Sequence, residues 1–118
     1  MRIVAYLLVT VFLSASAWAE PAGKWANLDR YPNCEVALDF KANGNVLVPN
    51  PKKSGQTLDA KWRLQGTTLI ITDKKNDWES YYDYKGDSIV WKSVKTLGKT
   101  QNISNQFSLQ DRTMVPCK

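Results

Sequence analysis

The chain has 118 residues, of which 43% are hydrophobic and 23% are charged, and its formal net charge is +5. This length fits one domain behind an N-terminal leader. The sequence contains no histidine, which excludes Ser-His-Asp and Cys-His catalytic arrangements and His-bearing zinc sites. It also lacks an arginine cluster interleaved with aromatic residues, so a nucleic-acid partner is not expected.

The first nineteen residues have the pattern of a secretory signal peptide. Arg2 supplies the positive charge, residues 3–13 the apolar stretch, and Ala17-Trp18-Ala19 an A-x-A cleavage site. A membrane anchor is the alternative, but an apolar run of about 11 residues is short of the roughly 20 that span a bilayer. We therefore expect residues 20–118 to form a single domain that is periplasmic or secreted, with no stable membrane anchor.

The chain contains two cysteines, Cys34 and Cys117. A domain of this size is only marginally stable on core packing alone, and an oxidising compartment allows disulfides to persist. We expect the two cysteines to form a disulfide that joins the start of the domain to its tail. Two unpaired buried thiols are the alternative.

Apolar and polar residues alternate along the mature chain with the period of a β-strand. Asn43-Gly44 is a strong hairpin signal, and Gly66 and Gly86 indicate further turns. We predict eight strands: one that carries Trp25, and residues 36–40, 46–48, 58–64, 67–72, 78–85, 88–95 and 103–110. In the last of these, Phe107 and Leu109 share a face.

The inner face of the predicted strand 88–95 cannot be assigned from the pattern. Ile89 and Trp91 point one way, whereas Val90 and Val94 point the other. Tyr81, in the preceding strand, is expected to point outward.

Eight short sequential strands favour an all-β fold that closes into an antiparallel up-and-down barrel, because closure removes the exposed edges of an open sheet. Such a barrel encloses an interior just wide enough for side chains or one small ligand. First and last strands are neighbours in this arrangement, which fits a disulfide between the start and the tail. A two-sheet sandwich is the rival architecture.

Gly23-Lys24-Trp25 at the start of the first strand resembles the Gly-x-Trp motif of lipocalins and the wider calycin group. Patterns around Trp62 and Trp91 are similar to those of short bacterial lipocalin-like domains. The resemblance implies that Gly23, Trp25 and Arg112 form a barrel-closing motif. Trp25 would close one end, and Arg112, just beyond the last strand, would pack over its indole in a cation–π contact.

Aromatic side chains are the candidates for ligand binding at the barrel mouth. The candidate residues are Trp62, Tyr82, Tyr84, Trp91 and Phe107. The alternative is that the aromatic residues fill the barrel themselves, since each buries roughly 150 to 250 Å².

We expect no catalysis, no cofactor and no metal site. The carboxylate pairs Asp73/Asp77 and Asp83/Asp87 flank turns, and aspartate favours turns for its own hydrogen-bonding reasons. The sequence predicts an exported, non-catalytic lipocalin-like protein that binds a small apolar molecule.

The alternative function is a proteinaceous inhibitor or immunity protein that binds a secreted hydrolase or toxin. Bacterial metalloprotease inhibitors are similar to this chain in having a Gly-x-Trp start followed by a cysteine. Residues 49–56 and 73–78 are the candidate contact loops, because loops on rigid scaffolds commonly carry binding.

Overall fold

The computed structural model describes residues 19–50 and 52–118, so the expected signal peptide lies outside the described residues except for Ala19. The strands are β1 Gly23–Ala26, β2 Leu38–Phe40, β3 Asn45–Pro49, β4 Thr57–Gln65, β5 Thr68–Asp73, β6 Trp78–Tyr84, β7 Ile89–Thr96, β8 Lys99–Asn102 and β9 Thr113–Pro116. A 3₁₀ turn at Ala42–Gly44 follows β2, and the short helix α1, Leu109–Arg112, precedes β9. Within the described residues no helix is long and apolar enough to cross a membrane.

The sheet closes into an eight-stranded antiparallel barrel made of β1 to β7 and β9. Consecutive strands pair from β1 to β7, and β9 lies between β7 and β1. β8 pairs with β7 alone and forms a hairpin arm outside the ring. The predicted all-β barrel is therefore confirmed, and the two-sheet sandwich is wrong.

The two ends of the barrel differ in their connections. We call the end that carries the β2–β3, β4–β5 and β6–β7 connections the base. The opposite end, with the connections 27–37, 50–56, 74–77 and 97–98, is the mouth. Turns at the base are tight: Gln65 pairs with Thr68, and Gly66 takes a φ of 62°, which a glycine adopts without steric cost.

The core consists of the inward-facing side chains. In β4 and β5, for example, Ala60, Leu69 and Ile71 are buried, whereas Lys61 and Arg63 point outward and are exposed. The buried cluster comprises Trp25, Leu38, Phe40, Val46, Val48, Ala60, Leu69, Ile71, Tyr82, Tyr84 and Ile89. The alternation in the sequence thus matches the inner face of most strands.

The predicted last strand, residues 103–110, is wrong. Asn102 Oδ1 accepts a hydrogen bond from the Ser104 amide, at 2.9 Å, and Ser108 Oγ caps α1 by accepting from the Asp111 amide, at 3.2 Å. These local bonds give the backbone an alternative to the sheet. Phe107 and Leu109 are consequently 44% and 61% exposed, and β9 starts only at Thr113.

The start of the second predicted strand is also wrong. Val36 lies before β2, in the connection 27–37, and is 39% exposed instead of sharing the inner face with Leu38 and Phe40.

A β-bulge explains why the pattern of β7 is ambiguous. Trp91 pairs with Tyr82, but Ser93 pairs with Tyr81, so Lys92 is an extra residue. Residues directly opposite each other in a sheet share a face, and Val94 pairs with the buried Ser80. The extra residue therefore returns Val94 to the inner face that Ile89 and Trp91 occupy.

Cys34 and Cys117 form the expected disulfide, with an S–S distance of 2.05 Å and a sequence separation of 83. The Cys117 amide also donates to the Lys24 carbonyl at 2.8 Å, which extends the β1–β9 pairing. The disulfide thus ties the connection 27–37 to the end of β9.

We predict that replacing both cysteines with serine lowers the free energy of unfolding by up to about 4 kcal/mol, because the unfolded chain regains the entropy of a long open loop. Urea denaturation of the oxidised wild type and the double variant measures the difference. Wild type treated with reductant should match the variant. An unchanged midpoint after reduction would contradict the prediction.

Candidate functional site

Four aromatic residues fill the base of the barrel. The ring centroids of Trp25 and Tyr84 are 6.0 Å apart, those of Trp25 and Phe40 are 6.4 Å apart, and those of Phe40 and Trp62 are 5.8 Å apart. All three pairs are edge-to-face, an arrangement that the quadrupole of aromatic rings favours. The base is therefore a packed core.

The segment before β1 lies against this cluster. Trp25 Nε1 donates to the Ala22 carbonyl at 3.1 Å, and the Tyr84 hydroxyl donates to the Ala19 carbonyl. Burial raises the pKa of Tyr84, and the nearby Glu20 carboxylate adds to that rise. The polar ends of both rings are satisfied by this segment, so the indole and phenol can pack with their apolar parts inward.

The mouth of the barrel opens into a cavity of about 820 Å³. Its walls are largely apolar and come from most of the barrel strands and from the mouth connections. The barrel residues that line it include Leu38, Val48, Leu58, Trp78, Ser80, Tyr82, Trp91 and Met114. Polar and charged residues, among them Asn27, Lys52, Asp73, Asp111 and Arg112, line the rest. The arrangement is an apolar cup with a polar rim.

Two buried polar atoms in the cavity wall have no hydrogen-bond partner among the described residues. They are Oγ of Ser80 and Nε1 of Trp91. Burial raises the pKa of the neighbouring Tyr82 to about 12. The phenol of Tyr82 is therefore neutral across the physiological range. Neither atom has appreciable accessible surface, so the surrounding atoms close both of them off from the cavity space. An unsatisfied buried polar atom costs free energy.

Arg112 lies at the mouth, and its bonds differ from those that the lipocalin resemblance implies. Its Nη1 donates to the Trp91 carbonyl at 3.0 Å and its Nε donates to the Phe107 carbonyl at 3.1 Å. The ring contacts of Trp25 in the described chain are with Phe40 and Tyr84. The expected packing of Arg112 over Trp25 is therefore absent from the described contacts, because Arg112 precedes β9 instead of following the last strand.

Asn27 fixes the position of α1 at the mouth. Its Nδ2 donates to the carbonyls of Gln110 and Asp111, both at 3.0 Å, and its Oδ1 accepts from the Asp29 amide at 3.1 Å. The Gln110 side chain in turn donates to Asp29 at 2.9 Å. Sequence reasoning missed this residue; the only signal was its place directly after the apolar end of β1, where asparagine commonly forms a turn with its own backbone.

The structure does not bring the five candidate ligand residues together. Tyr82 and Trp91 line the cavity. Trp62 and Tyr84 belong to the aromatic cluster at the base. Phe107 lies in the connection after β8 and stacks on Trp91, with ring centroids 6.4 Å apart and an angle of 18° between the planes.

Sequence reasoning did not select several of the residues that line the cavity, including Leu58, Ser80 and Met114. Each of them occupies an inward-facing position of its strand, as its cross-strand partner shows. Such positions were visible in the alternation. The alternation does not show how far from the base each of these residues lies along the barrel axis.

The carboxylates near the mouth act as turn formers. Asp73 is buried and accepts from the Asn76 amide at 3.3 Å and from the Asn76 side chain at 2.7 Å. Among the described residues, no group of three or more histidine, cysteine, aspartate or glutamate residues could hold a metal ion.

Tyr81 points outward, as expected, and its hydroxyl donates to Glu79. That bond is the main reason why the pKa of Glu79 is lowered and the pKa of Tyr81 is raised. Thr72 also donates to Glu79, at 3.2 Å, and Arg63 donates to Thr72, at 3.4 Å. These bonds form a polar network on the outer wall of β4 to β6, on the opposite face of the sheet from the cavity.

Comparison of the chain with protein-family models, with curated proteins and with solved structures finds no match.

We predict that Arg112→Ala lowers the free energy of unfolding by about 1–2 kcal/mol, because the carbonyls of Trp91 and Phe107 lose a charged donor. Combined with Trp25→Phe, the two losses should add to within about 0.5 kcal/mol, as expected for residues without a shared contact. Urea denaturation of the wild type, both single variants and the double variant measures this. A coupling energy larger than this would indicate that Trp25 and Arg112 contact each other, as the resemblance implies, and would contradict the prediction.

Proposed function

We propose that this protein is a non-catalytic binding protein that takes a small apolar molecule into the mouth of its barrel. The observation that carries the proposal is the open cavity of about 820 Å³ with largely apolar walls. Sites for small molecules and cofactors commonly have volumes of about 300 to 1,000 Å³, apolar linings and a few placed polar groups. The cavity has all three properties.

The division of the aromatic residues supports binding at the mouth. The aromatic cluster fills the base, so a ligand would not pass through the barrel. At the mouth, Trp78, Tyr82 and Trp91 line the cavity, and the two tryptophans also pack against the buried cluster that contains Tyr82.

The lipocalin-like part of the proposal rests on two features. The barrel has eight antiparallel strands, and Trp25 of the Gly-x-Trp motif lies in the aromatic cluster at the base. The position of Arg112 differs from the lipocalin pattern. The likeness is therefore strongest in strand topology and in the base of the barrel.

The proposed location is the periplasm or the extracellular space, after cleavage near Ala19. The disulfide supports it, because an oxidising compartment allows such a bond to persist. Cleavage after Ala19 would remove the carbonyl to which the Tyr84 hydroxyl donates. It would leave Ala22 in place, and with it the hydrogen bond that Trp25 makes at the base.

We predict that Leu58→Trp weakens binding of the neutral fluorescent probe N-phenylnaphthylamine by about tenfold or more, because the larger side chain fills the cavity. Leu47→Trp is the matched control: Leu47 is on the neighbouring strand, is also half-buried, and lies on the outer face opposite Asp59. Titration of probe fluorescence in both variants and the wild type measures the effect. Equal binding by all three proteins, or no binding by the wild type, would overturn the proposal.

Native mass spectrometry of the mature chain, purified gently from the exported fraction of its host, tests what the barrel carries. We expect an added mass of a few hundred daltons, which the Leu58→Trp variant should lose. A stable complex with a second polypeptide would instead favour the inhibitor function.

A further inference from the structure

The tip of the β7–β8 hairpin holds an exposed leucine in an unfavourable backbone conformation. Thr96 pairs with Lys99, so the turn consists of Leu97 and Gly98 alone. Their φ angles are 52° and 79°. Two-residue turns with two positive φ angles strongly prefer Asn-Gly, because a bulky side chain is strained there.

Nothing in the fold offsets this strain through burial, since Leu97 is 74% exposed. The Leu97 amide donates to the Asp77 carbonyl at 3.3 Å, which holds the tip beside the neighbouring mouth connection. Leu97 is thus an exposed apolar side chain at a position where asparagine would fit better. Packing within the fold does not explain the leucine, which points to a contact outside the chain.

Three pairs of lysines lie at this end of the barrel, in the connections 50–56 and 74–77 and on β7 and β8 beside the tip. Each pair is exposed: Lys52 and Lys53, Lys74 and Lys75, and Lys95 and Lys99. None of the six takes part in the two ion pairs found among the described residues, Lys41–Asp39 and Lys92–Asp83. Lys95 lies opposite Glu79 across the β6–β7 pairing, and its charge contributes to the lowered pKa of that carboxyl.

Acidic groups also lie near the mouth, on both sides of it, and include Glu79 of β6 and Asp59 of β4. Asp73 is buried and bonded to Asn76, and Asp77 is exposed beside Leu97. The fourth connection carries Asp29 and Glu35 together with Arg30, and Asp111 lies at the rim near Arg112. The lysine-bearing side of the mouth therefore keeps an excess of positive charge.

We propose that the mouth docks on an anionic phospholipid bilayer, with Leu97 entering the interface and the six lysines contacting the headgroups. An apolar group flanked by basic residues supplies the two signals that reversible membrane binding requires. The cavity would then open toward the bilayer, and an apolar ligand could enter it without crossing water. This last step rests on the proposed function; the docking itself does not.

The test measures co-sedimentation with vesicles of phosphatidylcholine, with or without phosphatidylglycerol. We expect binding to the anionic vesicles only, and we expect it to weaken as NaCl is raised, because salt screens the attraction. Lys74→Gln/Lys75→Gln should weaken binding by about 25-fold, since each of the two lysines contributes about fivefold near an anionic surface. Lys24→Gln/Lys85→Gln removes two exposed lysines near the base and is the matched control.

Leu97→Asn separates docking from stability. Asparagine tolerates a positive φ better than leucine, so the variant should unfold at the same or a higher temperature than wild type while binding anionic vesicles at least about fivefold more weakly. If Leu97 had a purely structural role, the variant would unfold at a lower temperature than wild type and would bind anionic vesicles as wild type does.

Three outcomes would overturn docking: no sedimentation with anionic vesicles, equal and salt-insensitive binding to both vesicle types, or wild-type vesicle binding by Leu97→Asn. In the second and third cases an acidic protein partner would have to be considered for the lysines. Probe uptake in the absence of vesicles is measured in parallel. Docking without probe uptake would overturn the proposed function alone, and probe uptake without docking would overturn this inference alone.

Discussion

Closure of the barrel depends on β9, which makes few contacts of its own. It pairs with β1 through two residue pairs, Trp25 with Pro116 and Ala26 with Val115, and with β7 through two more. Without these four pairs the sheet would be open and the inner faces of β1 and β7 would meet water. The disulfide, the Cys117 amide bond to Lys24 and the bonds of Asn27 to α1 all reinforce this one junction.

The contrast between base and mouth follows from closure. A closed ring of eight strands can be filled by side chains or can leave room for one small ligand. In this chain side chains fill the base, and the mouth holds a cavity. Edge-to-face rings occupy the base, where Trp25 and Tyr84 donate to carbonyls of the segment 19–22 and Trp62 donates to the Lys41 carbonyl. At the mouth the rings of Tyr82 and Trp91 line open space, and the polar groups gather at the rim.

The alternation of apolar residues predicted the fold class and most strand positions, because the side of a strand on which a residue lies is a local property. The disulfide was predicted separately, from a pair of cysteines in a small domain that is expected to be exported. The alternation did not predict the height of a residue along the barrel axis, which depends on strand register and on the bulge at Lys92. Tyr82 and Tyr84 share a face of β6, yet one lines the cavity and the other packs against Trp25. Likewise, Phe107 and Leu109 alternate like strand residues, but capping by Asn102 and Ser108 decides the local conformation.

The place of β9 in the ring also sets the order of events in biosynthesis. A chain that emerges from a ribosome or a translocation channel with its N-terminus first has β1 available early, but one of the neighbours of β1 is Thr113–Pro116. Until those residues emerge, the sheet can grow from β1 through β7 but cannot close. Cys34 cannot form its disulfide either, because Cys117 emerges later still. The nascent chain therefore remains an open sheet until almost all of the domain has left the channel.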